Sequence, residues 1–455
     1  MVVVFAVAFR GPAVGLARQI KDGRGPPGAK PRMQDTVQDK LQAALAGLSD
    51  KRALQGRLDG IVARKRLQEA LIGVFVGDDV SILSAGGDPD RTIETLPVVA
   101  GCLAKVLTAS LLGEAVHAGL IAWDDAVADR LNLGDRGRQA LAGVAVRHLV
   151  DHTHGLDAAA IEGVPYRDDG RIDIETLCDG LASRPALEPG KFYSYGHVGA
   201  WLGGALLERL HGSRYDALLR ERGMIDVNAD RGSTVPCPAT GADLCLTVGQ
   251  WIEFARRASD AMPVDAAGTT AAIALPGWHP AERGIVFGWK SYGDGWLGHN
   301  GHNGEYSVLL RINPGKRIAI VATARDANGA SSVAAGVFGD VLPEFRMLRP
   351  PRLLKAHEAA AYPVQDRVGR YVQSRTVVDV STNGEGALQL SVGDGTAAVS
   401  APRQLRPADG GVFLSVSGGD PEFMFVQFIA DGDDGEVKYL WNGRQLWRRE
   451  KVVPS

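Results

Sequence analysis

The chain has 455 residues, long enough for two domains, with 45% hydrophobic and 23% charged residues, the balance of an ordinary soluble globular protein. A formal net charge of −3 gives no sign of a nucleic-acid partner, and no apolar run reaches the length of about 18 residues that spans a bilayer. Spacings between Cys102, Cys178, Cys237 and Cys245 fit neither a zinc ribbon nor a redox pair. Free thiols in a reducing cytoplasm are the reading for all but Cys102, with a Cys237–Cys245 disulfide as the alternative for that pair.

Residues Met1 to Phe9 are apolar, but no basic residue precedes them and a Gly/Pro-rich stretch follows Arg10. Residues 1–32 are therefore read as a tail rather than an export signal, and a cytoplasmic location is expected. Residues 34–70 read as helical. Ala70–Val76 and Val80–Ala85 flank Gly77-Asp78-Asp79 as a hairpin. From Cys102 to Gly119 the apolar residues recur at helical spacing. Further helices are expected over Val198–Leu210, Tyr215–Arg222 and Val248–Ala258. Tyr306–Ile312 and Ile318–Ala324 flank the turn sequence Asn313-Pro314-Gly315-Lys316 as strands, and Ser331–Val341 closes as a helix. Strands at both ends with helices between them predict one domain over 33–349, its sheet assembled from distant segments. Pro350-Pro351 opens a linker over 350–363. Short β-rich runs then recur at Tyr371–Val372, Val377–Val380, Leu388–Val392, Val412–Leu414, Phe423–Phe428 and Val437–Trp441. Asn442-Gly443 forms a hairpin turn before Gln445–Trp447, so 364–455 is read as a small β-barrel.

Cys102 and Lys105 are three apart at a helix start, so the amine shares a face with the sulfur and the helix dipole favours thiolate. Alone, the pair equally describes a buried thiol beside a lysine reaching solvent. Two further segments follow in order, Tyr195-Gly196-His197 and His299-Asn300-Gly301. Together the three resemble the motifs of the serine β-lactamase and penicillin-binding-protein family, and most of all its class C β-lactamase-related hydrolases and acyltransferases. Leu149–Leu156 and Gly298–Ser307 resemble flanking signatures of the same family. The resemblance covers about 33–345. It implies an α+β fold (an α/β sandwich) with an antiparallel sheet flanked by helices, a helical subdomain, and here a trailing lipocalin-like barrel.

By the same resemblance, Cys102 attacks a carbonyl while Lys105 and Tyr195 move the proton. The backbone N–H groups of Cys102 and His302 form an oxyanion hole beside Gly301, and His299 lines the substrate side. Tyr195 is expected as a phenolate stabilised by Lys105. The chain departs from the family pattern where cysteine replaces serine and His197 replaces asparagine. His197 either supplies the hydrogen bond of that asparagine or forms an imidazolium pair with Cys102. A thioester intermediate is attacked readily by amines, which directs the expectation toward amide, ester or thioester hydrolysis or transfer, including cyclisation, on a small-molecule or peptide substrate. No cofactor and no metal are expected, although His148, His152 and His154 cluster. Oligomeric state is left open. The alternatives are an inactive binding protein on the same fold and an engineered Ser→Cys change.

Overall fold

The computed structural model describes residues 46–87, 97–156, 165–168, 171–182, 187–224, 244–261, 273–274, 284–342, 345, 364–373, 376–393, 400–408, 412–415, 425–431 and 435–450. All of them but Ala46 belong to the compact unit Gly47–Ser455. The expected tail 1–32, the linker 350–363 and Cys237 lie outside the described residues.

Helix α1 (Lys51–Lys65) begins where the Asp50 carboxylate accepts from Ala53 N and stops at Arg66, which takes the left-handed conformation. Of the helix expected over 34–70, residues 34–45 lie outside the described residues; 46–49 are helical, Asp50 caps a new start, and Arg66 ends that helix ahead of the first strand. Strands β1 (Glu69–Val76) and β2 (Asp79–Gly86) form the expected hairpin. Strand β3 (Pro97–Val99) leads into the 3₁₀ turn Gly101–Leu103 and helix α2 (Ala104–His117), which ends ahead of Gly119 at φ 71°. A helical subdomain follows, with α3 (Val127–Arg130), α4 (Asp135–Ala140), α5 (Val146–Val150), α6 (Ile174–Ala182), α7 (Val198–His211) and α8 (Tyr215–Glu221).

The chain returns through β4 (Cys245–Thr247), which pairs with β3, and helix α9 (Val248–Ala261). It then builds β5 (Ile273–Ala274), β6 (Gly284–Val286), β7 (Trp289–Gly293), β8 (Trp296–His302), β9 (Ser307–Asn313) and β10 (Ile318–Ala324) before helix α10 (Gly329–Phe338). The eight-stranded antiparallel sheet runs β2-β1-β10-β9-β8-β7-β6-β5. Strands β9 and β10 are buried at every position, since helices cover both faces of the sheet. A Cβ on Gly73 of β1 would lie 2.5 Å from Val248, so that strand accepts α9 only without a side chain there. The antiparallel sheet with flanking helices is the fold that the motifs implied.

Strands β11 (Gly369–Gln373), β12 (Thr376–Thr382), β13 (Leu388–Gly393), β14 (Arg403–Pro407), β15 (Val412–Ser415), β16 (Phe425–Ala430), β17 (Val437–Trp441) and β18 (Leu446–Arg449) form a closed barrel. Tyr371, Val378, Leu390, Leu405, Phe413, Val426, Leu440 and Trp447 fill its interior. Closure leaves no free edge, and β11 completes it against β18. Arg403–Pro407 was not apparent as a strand in the sequence, because arginine, glutamine and proline dilute its pattern.

Candidate active site

Gly101 takes φ 50°, and a Cβ there would meet His302 N at 2.5 Å and His302 O at 2.7 Å. Gly301 approaches the turn from the other side, where a Cβ would lie 2.0 Å from Ala100 O. Two glycines therefore let the end of β8 meet the 3₁₀ turn backbone to backbone. The turn is also fixed by Ala100 N donating to Leu244 O, ahead of β4, at 2.8 Å. This approach sets the main chain of the turn that carries Cys102 directly against the backbone of His302.

Lys105 is buried on the first turn of α2, and its Nζ donates to His197 Nδ1 at 3.1 Å. Because Nδ1 accepts from an ammonium, the neutral ring carries its proton on Nε2. Burial, with the Lys105 and Arg444 charges adding to it, holds His197 down to about 3. An imidazolium at this position is therefore disfavoured, and the bond that Nδ1 accepts from Lys105 is one an asparagine oxygen could also accept.

The loop carrying Tyr195 is zipped to the segment after α5. Ser194 N donates to His152 O at 2.9 Å, Gly190 N to Thr153 O at 2.8 Å and Leu187 N to Gly155 O at 2.9 Å. The His152 ring packs 4.6 Å from the Tyr195 ring, and His299 stacks on Tyr195 at 5.9 Å. Both imidazoles are fully enclosed, and burial, reinforced by Lys105 and Lys290, holds both well below the ordinary histidine range. His299 Nδ1 faces the Asn300 carbonyl at 2.6 Å and so bears the proton, leaving Nε2 as an acceptor. His148 Nδ1 accepts from Ala145 N and His154 Nδ1 from Leu156 N, so each of these rings serves its own backbone. Among the described residues no group of histidine, cysteine and carboxylate side chains is arranged to hold a metal ion.

Three cations surround Tyr195. The Lys105 ammonium lies 5.0 Å from its ring centre, the Lys290 ammonium 5.6 Å and the Arg444 guanidinium 5.0 Å. Burial pushes the Cys102 thiol up, but Lys105, donation from Tyr195, Arg444 and Lys290 together bring it below the ordinary thiol value. Tyr195 Oη is buried and meets no partner in regular hydrogen-bond geometry among the described residues. Donation toward Cys102 is thus a lesser contribution than the Lys105 charge.

Tyr195 itself is pushed well above the ordinary phenol range by burial and then by the Cys102 charge. The phenolate expected from the sequence is therefore corrected. The first proton leaves the thiol, and a buried hydroxyl beside a thiolate keeps its own. Gly301 and His302 close β8, where Gly301 is buried and His302 is exposed. Lys290 and Arg444 were missed. The first lies on β7 outside any motif, and the second follows the Asn442-Gly443 turn of the barrel, with nothing in the sequence linking it to Cys102.

Residues 54–223 match the family model described as Beta-lactamase. Penicillin-binding protein 4 of Amycolatopsis lactamdurans is 25% identical over 350 residues, covering 66% of this chain and 91% of that protein. Among solved structures, SurE with D-Leu superposes with a TM-score of 0.68 at 23% identity, covering 88% of this chain and 99% of SurE. The octameric penicillin-binding protein homologue from Pyrococcus abyssi gives 0.51 at 16% identity, covering 84% of this chain and 97% of that one. The structural likenesses extend through the barrel and concern the fold.

Proposed function

We propose that this chain, which carries a β-lactamase-family domain, is an acyl-transfer enzyme whose nucleophile is Cys102. The observation that carries the reading is geometric: Cys102 packs against the cluster that holds Tyr195, and the Lys105 ammonium lies 5.0 Å from the Tyr195 ring, an environment that lowers the thiol despite burial. A thiol whose pKa is lowered ionises far more readily than a serine hydroxyl and so needs less help from a base before it attacks.

The Cys102 sulfur adds to the carbonyl of an amide, ester or thioester, and the carbonyl electrons move onto oxygen. The N–H groups of Cys102 and His302 receive that oxyanion. The C–N, C–O or C–S bond to the leaving group then breaks, and the leaving group takes the Tyr195 proton. Lys105 replenishes that proton, acting from its bond to neutral His197. The product of this half-reaction is a thioester on Cys102. An amine or water adds to it, returns its proton to the Lys105–Tyr195 pair, and expels the thiolate. A thioester reacts more readily with amines than with water, so transfer or cyclisation onto an amine is favoured over hydrolysis.

The experiment is mass spectrometry of the full chain after exposure to an activated ester. An acyl adduct on Cys102 that turns over, and that Cys102→Ala abolishes, is the expected result. An adduct on another residue with Cys102→Ala fully active overturns it. A ligand-binding role alone predicts a Cys102 that alkylates no faster than an exposed thiol, and the pH profile of iodoacetamide labelling separates the two.

A further inference from the structure

The barrel and the catalytic sheet share a buried seam. Tyr193, Tyr195 and Ile285 cluster with Val412, Tyr439, Trp441 and Leu446 of the barrel, and Cys102 packs at its margin. Lys191 pairs with Asp431 at 2.7 Å, and the Phe192 and Tyr439 rings lie 5.0 Å apart. The seam continues into the loop that carries Tyr195. Ser194 Oγ accepts from Gln373 Nε2 at 3.2 Å and from Leu446 N at 3.4 Å.

The contact nearest the chemistry is made by the β17–β18 turn. Gly443 takes φ 86°, and Asn442 Oδ1 accepts from Arg444 N at 3.0 Å and from Gln445 N at 2.8 Å, which sets the turn locally. Tyr195 N then donates to Arg444 O at 2.7 Å. The same residue projects its guanidinium over the Tyr195 ring at 5.0 Å. One barrel residue thus holds the backbone of Tyr195 and places a charge beside its ring.

Resting on the Cys102 reading above, we propose that the β17–β18 turn is an integral part of the active site, with Arg444 as a positioning residue. Its carbonyl holds the Tyr195 amide, and its guanidinium joins Lys105 and Lys290 as one of three cations gathered about Tyr195 that favour an anionic sulfur on Cys102. The two roles separate experimentally. The bond to Tyr195 uses the Arg444 backbone and survives substitution of the side chain, whereas the charge does not. Arg444 is exposed, so water screens its charge and the effect is modest.

The test is the pH dependence of iodoacetamide labelling at Cys102 in the full chain, read by mass spectrometry. Arg444→Gln should label about two- to five-fold more slowly than the parent below the inflection, which moves upward in pH, with thermal stability unchanged. Arg444→Ala carries the same expectation, and Arg444→Lys should restore most of the rate. Superimposed profiles for the parent and the neutral variants overturn the proposal while leaving Cys102 as nucleophile. Equal slowing in the lysine and neutral variants also overturns it, since charge is then not the agent. A parent Cys102 that labels no faster than an ordinary exposed thiol overturns this proposal together with the reading it rests on.

Discussion

Lys105 Nζ lies 3.1 Å from His197 Nδ1, a bond in which a buried ammonium donates to a ring held neutral. A ring held down to about 3 does not change charge between pH 5 and 8. His197→Asn should therefore retain turnover within about tenfold, because an amide oxygen can accept the same bond. His197→Leu leaves a buried cation without that acceptor and should lower kcat/KM by about 10²-fold. Steady-state kinetics across pH 5 to 9 check both. Loss of a near-neutral inflection in His197→Asn would restore the imidazolium reading.

Gly101 and Gly301 admit no side chain for different reasons. Gly101 has φ 50° and faces the His302 backbone, while Gly301 faces Ala100 O at 2.0 Å from a Cβ. Alanine at either position forces the turn away from β8, and with it the Cys102 and His302 amides that the proposed mechanism assigns to the oxyanion. Loss of such donor geometry costs about 10²–10³ in kcat. Stability should fall by about 1–3 kcal/mol. Gly113→Ala on α2 is the control. Its Cβ meets nothing nearer than Trp123 at 4.0 Å, so helix propensity should leave the protein as stable or about 0.5–1 kcal/mol more so. A kcat unchanged in Gly301→Ala would remove the backbone approach from the mechanism.

Much of the site could be read from the sequence because it depends on short-range spacing. Cys102 and Lys105 occupy adjacent helical turns, and Tyr195–His197 and His299–Gly301 are contiguous. The central strands were legible for a similar reason, since β1, β9 and β10 are near-continuous apolar runs. The protonation states were not. Whether Tyr195 is phenol or phenolate depends on burial and on which of two coupled groups loses its proton first, and both are properties of the assembled pocket. Lys290 and Arg444 were illegible because each is an ordinary charged residue until the sheet and the barrel bring it to Tyr195.

Tyr195 is protonated across pH 6 to 9, because its pKa is raised further above that range. In the mechanism proposed above it is first a donor toward the Cys102 sulfur. Tyr195→Phe keeps the ring between His152 and His299 but removes that donor and the proton of the leaving group. Iodoacetamide labelling of Cys102 should shift to higher pH, and turnover should fall by about 10²–10³-fold. An unchanged labelling profile with lost turnover would restrict Tyr195 to the leaving-group step.

Asp151, one residue before His152, is buried with a carboxylate pushed up to about 7. Burial is the main cause, only partly offset by donation from Gly288 N and by Arg147, and its Oδ1 has no hydrogen-bond partner among the described residues. Because its folded pKa lies above the unfolded value of 3.8, the folded state binds more protons between the two. Stability from this residue is present below about pH 4 and is lost as the pH rises through about 7, by roughly 4 kcal/mol in all. His152 and His154 act oppositely. Their folded pKa values are depressed, so their contribution is lost as pH falls below the ordinary histidine value. The two trends overlap, and the total stability curve does not separate them. The difference between Asp151→Asn and the parent does, since the histidines are common to both. Urea unfolding at pH 4, 6 and 8 should show that difference small at pH 4, growing at pH 6 and largest at pH 8, in favour of the variant. A difference that is constant with pH would mean that Asp151 carries no titration of its own.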